Sequence, residues 1–179
     1  MTIALIILGV LLLACVPMMW LAGRAWFKYR RTRVVECPET RTPAAVEVDR
    51  ARAAFSAAIG EPDLRLASCS RWPERRDCGQ PCLSQVEAAP AECLVKTMLV
   101  EWYRGTSCAL CGTEIGEIHW VEHKPALLTP ERKTVEWDEI SPESLPAVLA
   151  THQRVCWNCH LTSAFRERFP GFAAKGQAV

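Results

Sequence analysis

The chain has 179 residues, of which 10 are cysteine and 12 are proline, and its formal net charge is +1. Half of the residues are apolar and only 9 are glycine, which excludes collagen-like, low-complexity and wholly disordered chains. The near-zero net charge also excludes nucleic-acid binding driven by bulk positive charge. The high cysteine count is therefore the feature that needs a chemical explanation.

The N-terminal segment, residues 1–33, combines a long apolar run with a basic flank. Thr2 to Gly23 carries no charged side chain, and about 20 apolar residues are what a helix needs to cross the hydrocarbon core of a bilayer. Basic side chains then follow closely, at Arg24, Lys28, Arg30, Arg31 and Arg33. The positive-inside rule turns this pattern into a prediction. We expect a single transmembrane helix in the inner membrane, with the N-terminus outside and the rest of the chain in the cytoplasm.

The rest of the chain is acidic once this basic flank is set aside. The whole chain has 21 Lys and Arg against 20 Asp and Glu, so removing the basic flank leaves an excess of carboxylates. This balance argues against nucleic acid as a partner. We expect instead a membrane partner through the anchor and a protein partner at the cytoplasmic membrane face.

Residues 34–93 are predicted to form a cysteine-containing lobe of short strands, a helix and loops. Residues 34–50 have the pattern of strand, turn and strand, and Ala51 to Ile59 has the pattern of a short helix. Leu64 to Cys69 alternates as a strand does, and residues 70–82 are loop-like because prolines and a glycine interrupt them. This lobe is thus predicted to be a hairpin, a helix and a third strand.

Residues 94–172 are predicted to form a second lobe, followed by a frayed tail at residues 173–179. A helical pattern begins at Ala91, in the first lobe, and runs to Tyr103. The later predicted elements are, in order, strands at Gly116–His123 and Lys133–Ile140 and helices at Pro142–His152 and Leu161–Phe169. The fold class predicted after the anchor is α+β, with short strands and helices that bound metal would staple together.

Two C-x2-C pairs give the strongest chemical signal in the chain. Cys108 and Cys111 form the first pair, and Cys156 and Cys159 form the second. Four thiolates match the ligand set of tetrahedral structural zinc, and Gly112 permits a tight turn beside the first pair. A reducing compartment disfavours disulfides. The four residues therefore predict one zinc site.

The order of the elements around these pairs is similar to a known fold. A C-x2-C turn, a hairpin and a second pair at the start of a helix resemble the treble-clef zinc finger over residues 107–169. The resemblance implies that the two pairs bind a single zinc ion in a treble-clef or zinc-ribbon-like C-terminal half. The extra helix predicted at Pro142–His152 departs from the family pattern.

The remaining cysteines suggest a second zinc site in the first lobe. Four of them fall at predicted turns or strand ends, namely Cys37, Cys69, Cys78 and Cys82. Cys93 lies at the start of a predicted helix and is the alternative fourth ligand, and Cys15 lies in the predicted membrane span. The alternative is that these cysteines bind no metal and are scattered buried thiols, which are common in protein cores.

Two alternatives would use the second pair for electron transfer. Cys156 to His160 matches the C-x2-C-H pattern of c-type haem attachment, with His160 as the axial ligand. That resemblance to the cytochrome c family implies a location outside the cytoplasm, against the predicted orientation. Four cysteines could also hold an iron–sulfur cluster, although the compact ferredoxin spacing is absent.

A third alternative is a nuclease. The layout of the two pairs around Glu122-His123-Lys124-Pro125 is similar to the HNH endonuclease family. The resemblance implies His123 as general base and His160 as a metal ligand. The spacing before Pro125 and the apolar residues after the second pair depart from that family, and an acidic domain is a poor DNA enzyme.

The sequence as a whole predicts a zinc-binding protein that is not an enzyme. A closed four-thiolate site leaves no coordination position open for catalysis. We therefore expect a binding, scaffold or accessory adaptor role. Because zinc-bound thiolates can be oxidised, a response to redox state or metal supply is part of this hypothesis.

Overall fold

A computed structural model of the chain describes residues 2–72, 74–75 and 77–170, without the side chains of residues 3–8, 10 and 11. The chain divides into two compact units, Met1–Leu94 and Val95–Val179. Each unit combines helices with a small antiparallel sheet, so the α+β class is confirmed. The tail predicted at residues 173–179 lies outside the described residues.

The first unit is a three-stranded sheet with three helices. Its elements are α1 (Thr2–Tyr29), β1 (Arg33–Cys37), β2 (Thr42–Val48), α2 (Arg50–Ile59), β3 (Leu66–Cys69) and α3 (Leu83–Ala88). The strand order is β1-β2-β3, and both pairings are antiparallel. The hairpin, α2 and β3 match the sequence prediction, whereas α3 begins directly after the predicted loop and was not predicted.

The core of the first unit lies between one face of this sheet and α2. The described core includes Val35 and Val46 from the sheet and Ala53 and Ala57 from α2. Small alanine side chains let the helix approach the sheet closely, and Asp49 caps the helix by accepting a 3.0 Å hydrogen bond from the Arg52 backbone N–H. The end of α1 contributes Ala25 and Tyr29 to the same core.

Arg33 joins the end of α1 to the rest of the first unit. Its side chain is fully buried, and among the described residues its guanidinium donates hydrogen bonds to backbone carbonyls only. The acceptors are the carbonyl oxygens of Lys28, Tyr29 (3.1 Å), Arg31 (3.0 Å) and Pro90 (3.3 Å). The last carbonyls of a helix have no partner within the helix, so this cation satisfies them and also complements the negative end of the helix dipole.

The second unit is another three-stranded sheet with three helices. Its elements are α4 (Val95–Tyr103), β4 (Ala126–Leu128), β5 (Thr134–Glu136), α5 (Leu145–Thr151), β6 (Gln153–Val155) and α6 (Trp157–Arg168). β4 is the central strand and pairs antiparallel with both β5 and β6. Two 3-10 turns, Trp137–Glu139 and Pro142–Ser144, connect β5 to α5.

The predicted strand at Gly116–His123 is wrong. The chain forms turns there, with one isolated bridge between His119 and His123. The central strand is instead Ala126–Leu128, whose three residues are all buried. Its continuous apolar pattern is typical of a fully buried strand, whereas the segment Gly116–His123 pairs with none of the described strands.

The predicted membrane anchor is also wrong. In the part of the chain that the structure describes, no helix combines the length and the apolarity that a membrane crossing requires. The turns after Arg24 pack through Ala25 and Tyr29 into the core. The single-pass inner-membrane localisation is therefore not upheld.

We predict that the Arg33→Met substitution strongly destabilises the first unit. It removes the hydrogen bonds to several backbone carbonyls and leaves buried acceptors unpaired, so we expect a loss of about 3 kcal/mol in the free energy of unfolding. Urea denaturation followed by circular dichroism measures this loss. The exposed Arg65 gives a matched control, since Arg65→Met should change stability little; equal losses in both variants would contradict the capping role.

Candidate metal centre

Four cysteine sulfurs of the second unit converge on one point. The Sγ atoms of Cys108, Cys111, Cys156 and Cys159 all lie within 4.8 Å of one another. The Sγ atoms of Cys111 and Cys156 are 3.8 Å apart. Zinc–sulfur bonds of about 2.3 Å in a tetrahedron place the sulfurs about 3.8 Å apart. The two C-x2-C pairs predicted from sequence therefore form a site that could hold a metal ion such as zinc.

The first pair lies in a tight turn closed by backbone hydrogen bonds. The Cys108 N–H donates to the Thr113 carbonyl oxygen at 2.8 Å, and the Gly112 N–H donates to the Cys108 carbonyl oxygen at 2.8 Å. Gly112 has a φ of 73°, in the left-handed region that glycine adopts without a steric penalty. The turn therefore directs both sulfurs to the same side.

The second pair lies where β6 ends and α6 begins. Val155, the last residue of β6, is buried, and Cys156 is the N-cap residue of α6. Cys159 lies one turn further, and the N–H of His160 donates to the Cys156 carbonyl oxygen at 3.1 Å. The positive end of the helix dipole favours negative charge at this position, so the start of α6 suits two thiolates.

Backbone N–H groups connect the two pairs and point at the sulfur of Cys108. The N–H groups of Cys156 and Leu110 lie 3.3 Å and 3.4 Å from this sulfur. The N–H of Ala109 donates to the Arg154 carbonyl oxygen at 2.9 Å, which ties the turn to β6. Hydrogen bonds to a sulfur favour its thiolate form, which is the form that binds metal.

The two thiols of the first pair are more acidic than an ordinary cysteine. A hydrogen bond from the Thr113 side chain, with one from the Thr113 backbone, lowers the pKa of Cys111 to about 6. Burial alone raises the pKa of Cys108, but hydrogen bonds from the backbone N–H groups of Cys156, Cys111 and Leu110 outweigh it and the net shift is downward. The first pair is thus prepared to carry negative charge.

The thiols of the second pair hold their protons more strongly. Burial is the largest cause that raises the pKa values of Cys156 and Cys159, and the neighbouring thiols of the first pair add to it. Four thiolates cannot all be charged at this distance without a cation, because like charges disfavour each other. A divalent metal would supply the missing positive charge.

His160 is held by β5 and is nearly buried, with 6% of its surface exposed. Its Nδ1 atom lies 3.0 Å from the Thr134 hydroxyl, and its Nε2 atom lies 3.6 Å from a Glu136 carboxylate oxygen. Both ring nitrogens thus face side chains of β5. His160 is the ligand that the haem and nuclease alternatives would use, and both alternatives stay predictions.

An open cleft lies beside the four sulfurs. Its lining includes Cys111, Cys156 and Cys159, together with His119 and with His123, which is the predicted general base of the nuclease alternative. The rings of His119 and His123 lie edge to face with centroids 5.8 Å apart, and the His123 and Trp157 ring centroids are 6.2 Å apart.

The four cysteines predicted as a second site are placed around one small pocket in the first unit. Cys37, Cys69, Cys78 and Cys82 all line it. Among the described residues, however, their sulfurs do not reach the mutual distance of 4.8 Å found in the second unit. Cys93 does not line the pocket; its Sγ atom lies 3.8 Å from the Gln85 carbonyl oxygen.

Sequence reasoning missed the residues that support the metal ligands. Thr113 lowers the pKa of Cys111, and Thr134 and Glu136 hold His160 beside the second pair. A hydroxyl residue two positions after a C-x2-C pair is a weak local signal for the hydrogen bond from Thr113 to Cys111. No sequence signal indicated Thr134, because its contact with α6 depends on the pairing of β5 with β4.

Comparison with protein-family models, with curated proteins and with solved structures gives no match for this chain. The arrangement of the four cysteines is consistent with a zinc-finger-like module.

We predict that zinc binding at pH 8 releases protons from the second pair and none from Cys111. Cys111, with a pKa of about 6, is already ionised at that pH, whereas Cys156 and Cys159 have raised pKa values and must lose protons to bind metal. Titration calorimetry in two buffers of different ionisation enthalpy counts these protons. The apparent zinc affinity should fall as the pH is lowered; an affinity that does not change between pH 8 and pH 6 would contradict thiolate ligation.

Proposed function

We propose that the chain is a zinc-binding protein in which Cys108, Cys111, Cys156 and Cys159 hold a structural zinc ion. The observation that carries this proposal is the convergence of the four sulfurs within 4.8 Å. Four thiolates complete a tetrahedral shell and leave no position open for a substrate or a water molecule. The role of the metal is then to hold the second unit together, in the manner of a treble-clef zinc finger.

The small strands of the second unit support a structural role for the metal. β4, β5 and β6 contain three residues each, and the buried cluster beside the centre consists of Cys108, Leu128 and Val155. A sheet of such short strands has few backbone hydrogen bonds to hold it together. Metal binding to ligands that come together only in the folded state adds its own free energy to folding.

An exposed apolar stripe supports a role in protein binding, as a scaffold or accessory adaptor. Leu161, Phe165 and Phe169 are 48%, 53% and 43% exposed. Residues four apart lie on one face of a helix, so Leu161 and Phe165 share a face of α6, and Phe169 follows directly at its end. Contiguous exposed apolar patches mark protein interaction sites. The partner we propose is a protein with a complementary apolar surface.

The Cys108→Ser substitution tests the structural centre. We expect this variant to bind one zinc ion fewer per chain than the wild type and to lose the near-ultraviolet circular dichroism of the tryptophans in the second unit. Metal analysis by mass spectrometry and circular dichroism measure the two effects. In the wild type, removing zinc with a chelator should cause the same spectral change, and added zinc should reverse it.

The Cys15→Ser substitution is the matched control for this experiment. Cys15 is an exposed residue of α1, so its replacement should leave the zinc content and the spectrum unchanged. A Cys108→Ser variant that keeps the full zinc content of the wild type would refute the proposed centre, whatever its spectrum.

A response to oxidants is a second candidate function, and the exposure of Cys111 favours it. Cys111 is the exposed member of the four cysteines, and its sulfur lies 3.8 Å from that of Cys156. We propose that a peroxide oxidises these two zinc-bound thiolates. They lose two electrons and form a disulfide, the peroxide takes up these electrons with two protons and becomes two waters, and zinc leaves.

We predict that hydrogen peroxide releases one zinc ion per chain and that a disulfide reductant restores binding. A colorimetric zinc chelator follows the release, and peptide mass spectrometry should identify a disulfide between Cys111 and Cys156. The control is Cys93→Ser, which replaces a cysteine away from the centre and should leave the release rate unchanged. Loss of zinc without a disulfide among the four cysteines would contradict the mechanism.

A further inference from the structure

The first unit contains a second convergence of cysteines. Cys37, Cys69, Cys78 and Cys82 come from different parts of the chain, yet all four line one small pocket. Leu66 and Trp72 supply apolar walls to the same pocket. We propose that these four cysteines form a second four-thiolate zinc site, independent of the proposed centre in the second unit.

The register of the sheet places two of these cysteines on the same face. Cys37 pairs with Thr42 of β2, and Cys69 pairs with Val46 of β2. Thr42 and Val46 are four positions apart on one strand, and side chains alternate between the faces of a sheet. Cys37 and Cys69 therefore lie on the face that carries Val46, which is fully buried in the core.

The loop after β3 brings the other two cysteines to this face. Gln80, between Cys78 and Cys82, has a φ of 57°, a left-handed conformation that turns the loop back on itself. The Gln80 side-chain oxygen accepts a 2.9 Å hydrogen bond from the N–H of Leu66, which ties the loop to β3. Cys82 is buried and is the N-cap residue of α3.

The four thiols lie close enough to influence one another electrostatically. Burial raises the pKa of Cys82 to about 11, and the neighbouring Cys69, Cys78 and Cys37 add to this rise. A hydrogen bond from the Thr40 side chain lowers the pKa of Cys37. Cys82 therefore lies near each of the other three thiols, as their shared lining of one pocket requires.

Unpaired donors at the pocket indicate that a negative group belongs there. The Nε atom of Arg71 and the Nε1 atom of Trp72 are buried and have no hydrogen-bond partner among the described residues. Both residues line the pocket, as does Arg75. Buried donors normally find an acceptor. A zinc ion with four thiolates carries two net negative charges, and its sulfurs accept hydrogen bonds from N–H groups and are stabilised by nearby arginines.

Zinc binding would draw the four sulfurs together. In the structure they line the pocket without reaching the mutual distance of 4.8 Å seen in the second unit, and all four are free thiols. Four thiolates select zinc among the common divalent metals of fixed oxidation state. The result would be a cross-link that joins the ends of β1 and β3 to the start of α3.

The experiment counts zinc in the full-length chain, purified in the presence of a reductant. We expect two zinc ions per chain in the wild type, one in Cys108→Ser, one in Cys78→Ser and none in the combined variant. Cys78 is chosen because it is only partly buried, and Cys82→Ser at the buried position repeats the test. The matched control is Cys93→Ser, a partly buried cysteine of the same unit outside the pocket, which should keep two zinc ions.

The outcomes separate this proposal from the first one. A wild type with one zinc ion that Cys108→Ser removes would overturn the second site and leave the first intact. One zinc ion that only Cys78→Ser removes would overturn the first and leave the second. A disulfide within the four cysteines, found by alkylation without reduction, or visible absorption typical of an iron–sulfur cluster would also overturn the assignment of zinc.

Discussion

The second unit depends on one constraint, which is that two turns from distant parts of the chain must direct four sulfurs to one point. Cys111 and Cys156 are 45 positions apart, and the whole β4-centred sheet lies between them in sequence. Closing such a loop costs entropy, and strands of three residues contribute few hydrogen bonds to offset it. Hydrogen bonds from backbone N–H groups to sulfur, such as that from Cys156 to Cys108, stabilise the arrangement of the two turns.

In the first unit, the described partners of the buried Arg33 guanidinium are backbone carbonyl oxygens rather than carboxylates. Arg33 lies where α1 ends and β1 begins, and its guanidinium binds carbonyls of α1 and the carbonyl of Pro90 near the end of α3. The adjacent N–H of Val34 donates to the Cys93 carbonyl oxygen at 2.8 Å. The Arg33 side chain thus pairs with the last carbonyl groups of α1 and also holds the segment that follows α3.

Local chemistry could be predicted from the sequence, whereas pairing between short segments could not. The two C-x2-C pairs were identified because each is a local sequence pattern. The glycine at position 112 also indicated the positive φ in the turn of the first pair. The strand Ala126–Leu128 was missed because three residues are too few for a periodic pattern. The anchor was inferred from an apolar run and its basic flank, and neither pattern indicates the packing of Ala25 and Tyr29 into the core. The contacts of His160 with Thr134 and Glu136 depend on tertiary structure.

The locality of the two C-x2-C pairs has a consequence for the order in which the second unit assembles. The turn at Cys108 and Cys111 is closed by its own hydrogen bonds, so it can form before the sheet does. A zinc ion could then bind first to these two more acidic thiolates. The cysteines at the start of α6 would bind it in a later step. Metal binding by the first pair would then precede the closure of the loop. The lifetime of the intermediate with zinc on two ligands would depend on the rate at which β6 pairs with β4.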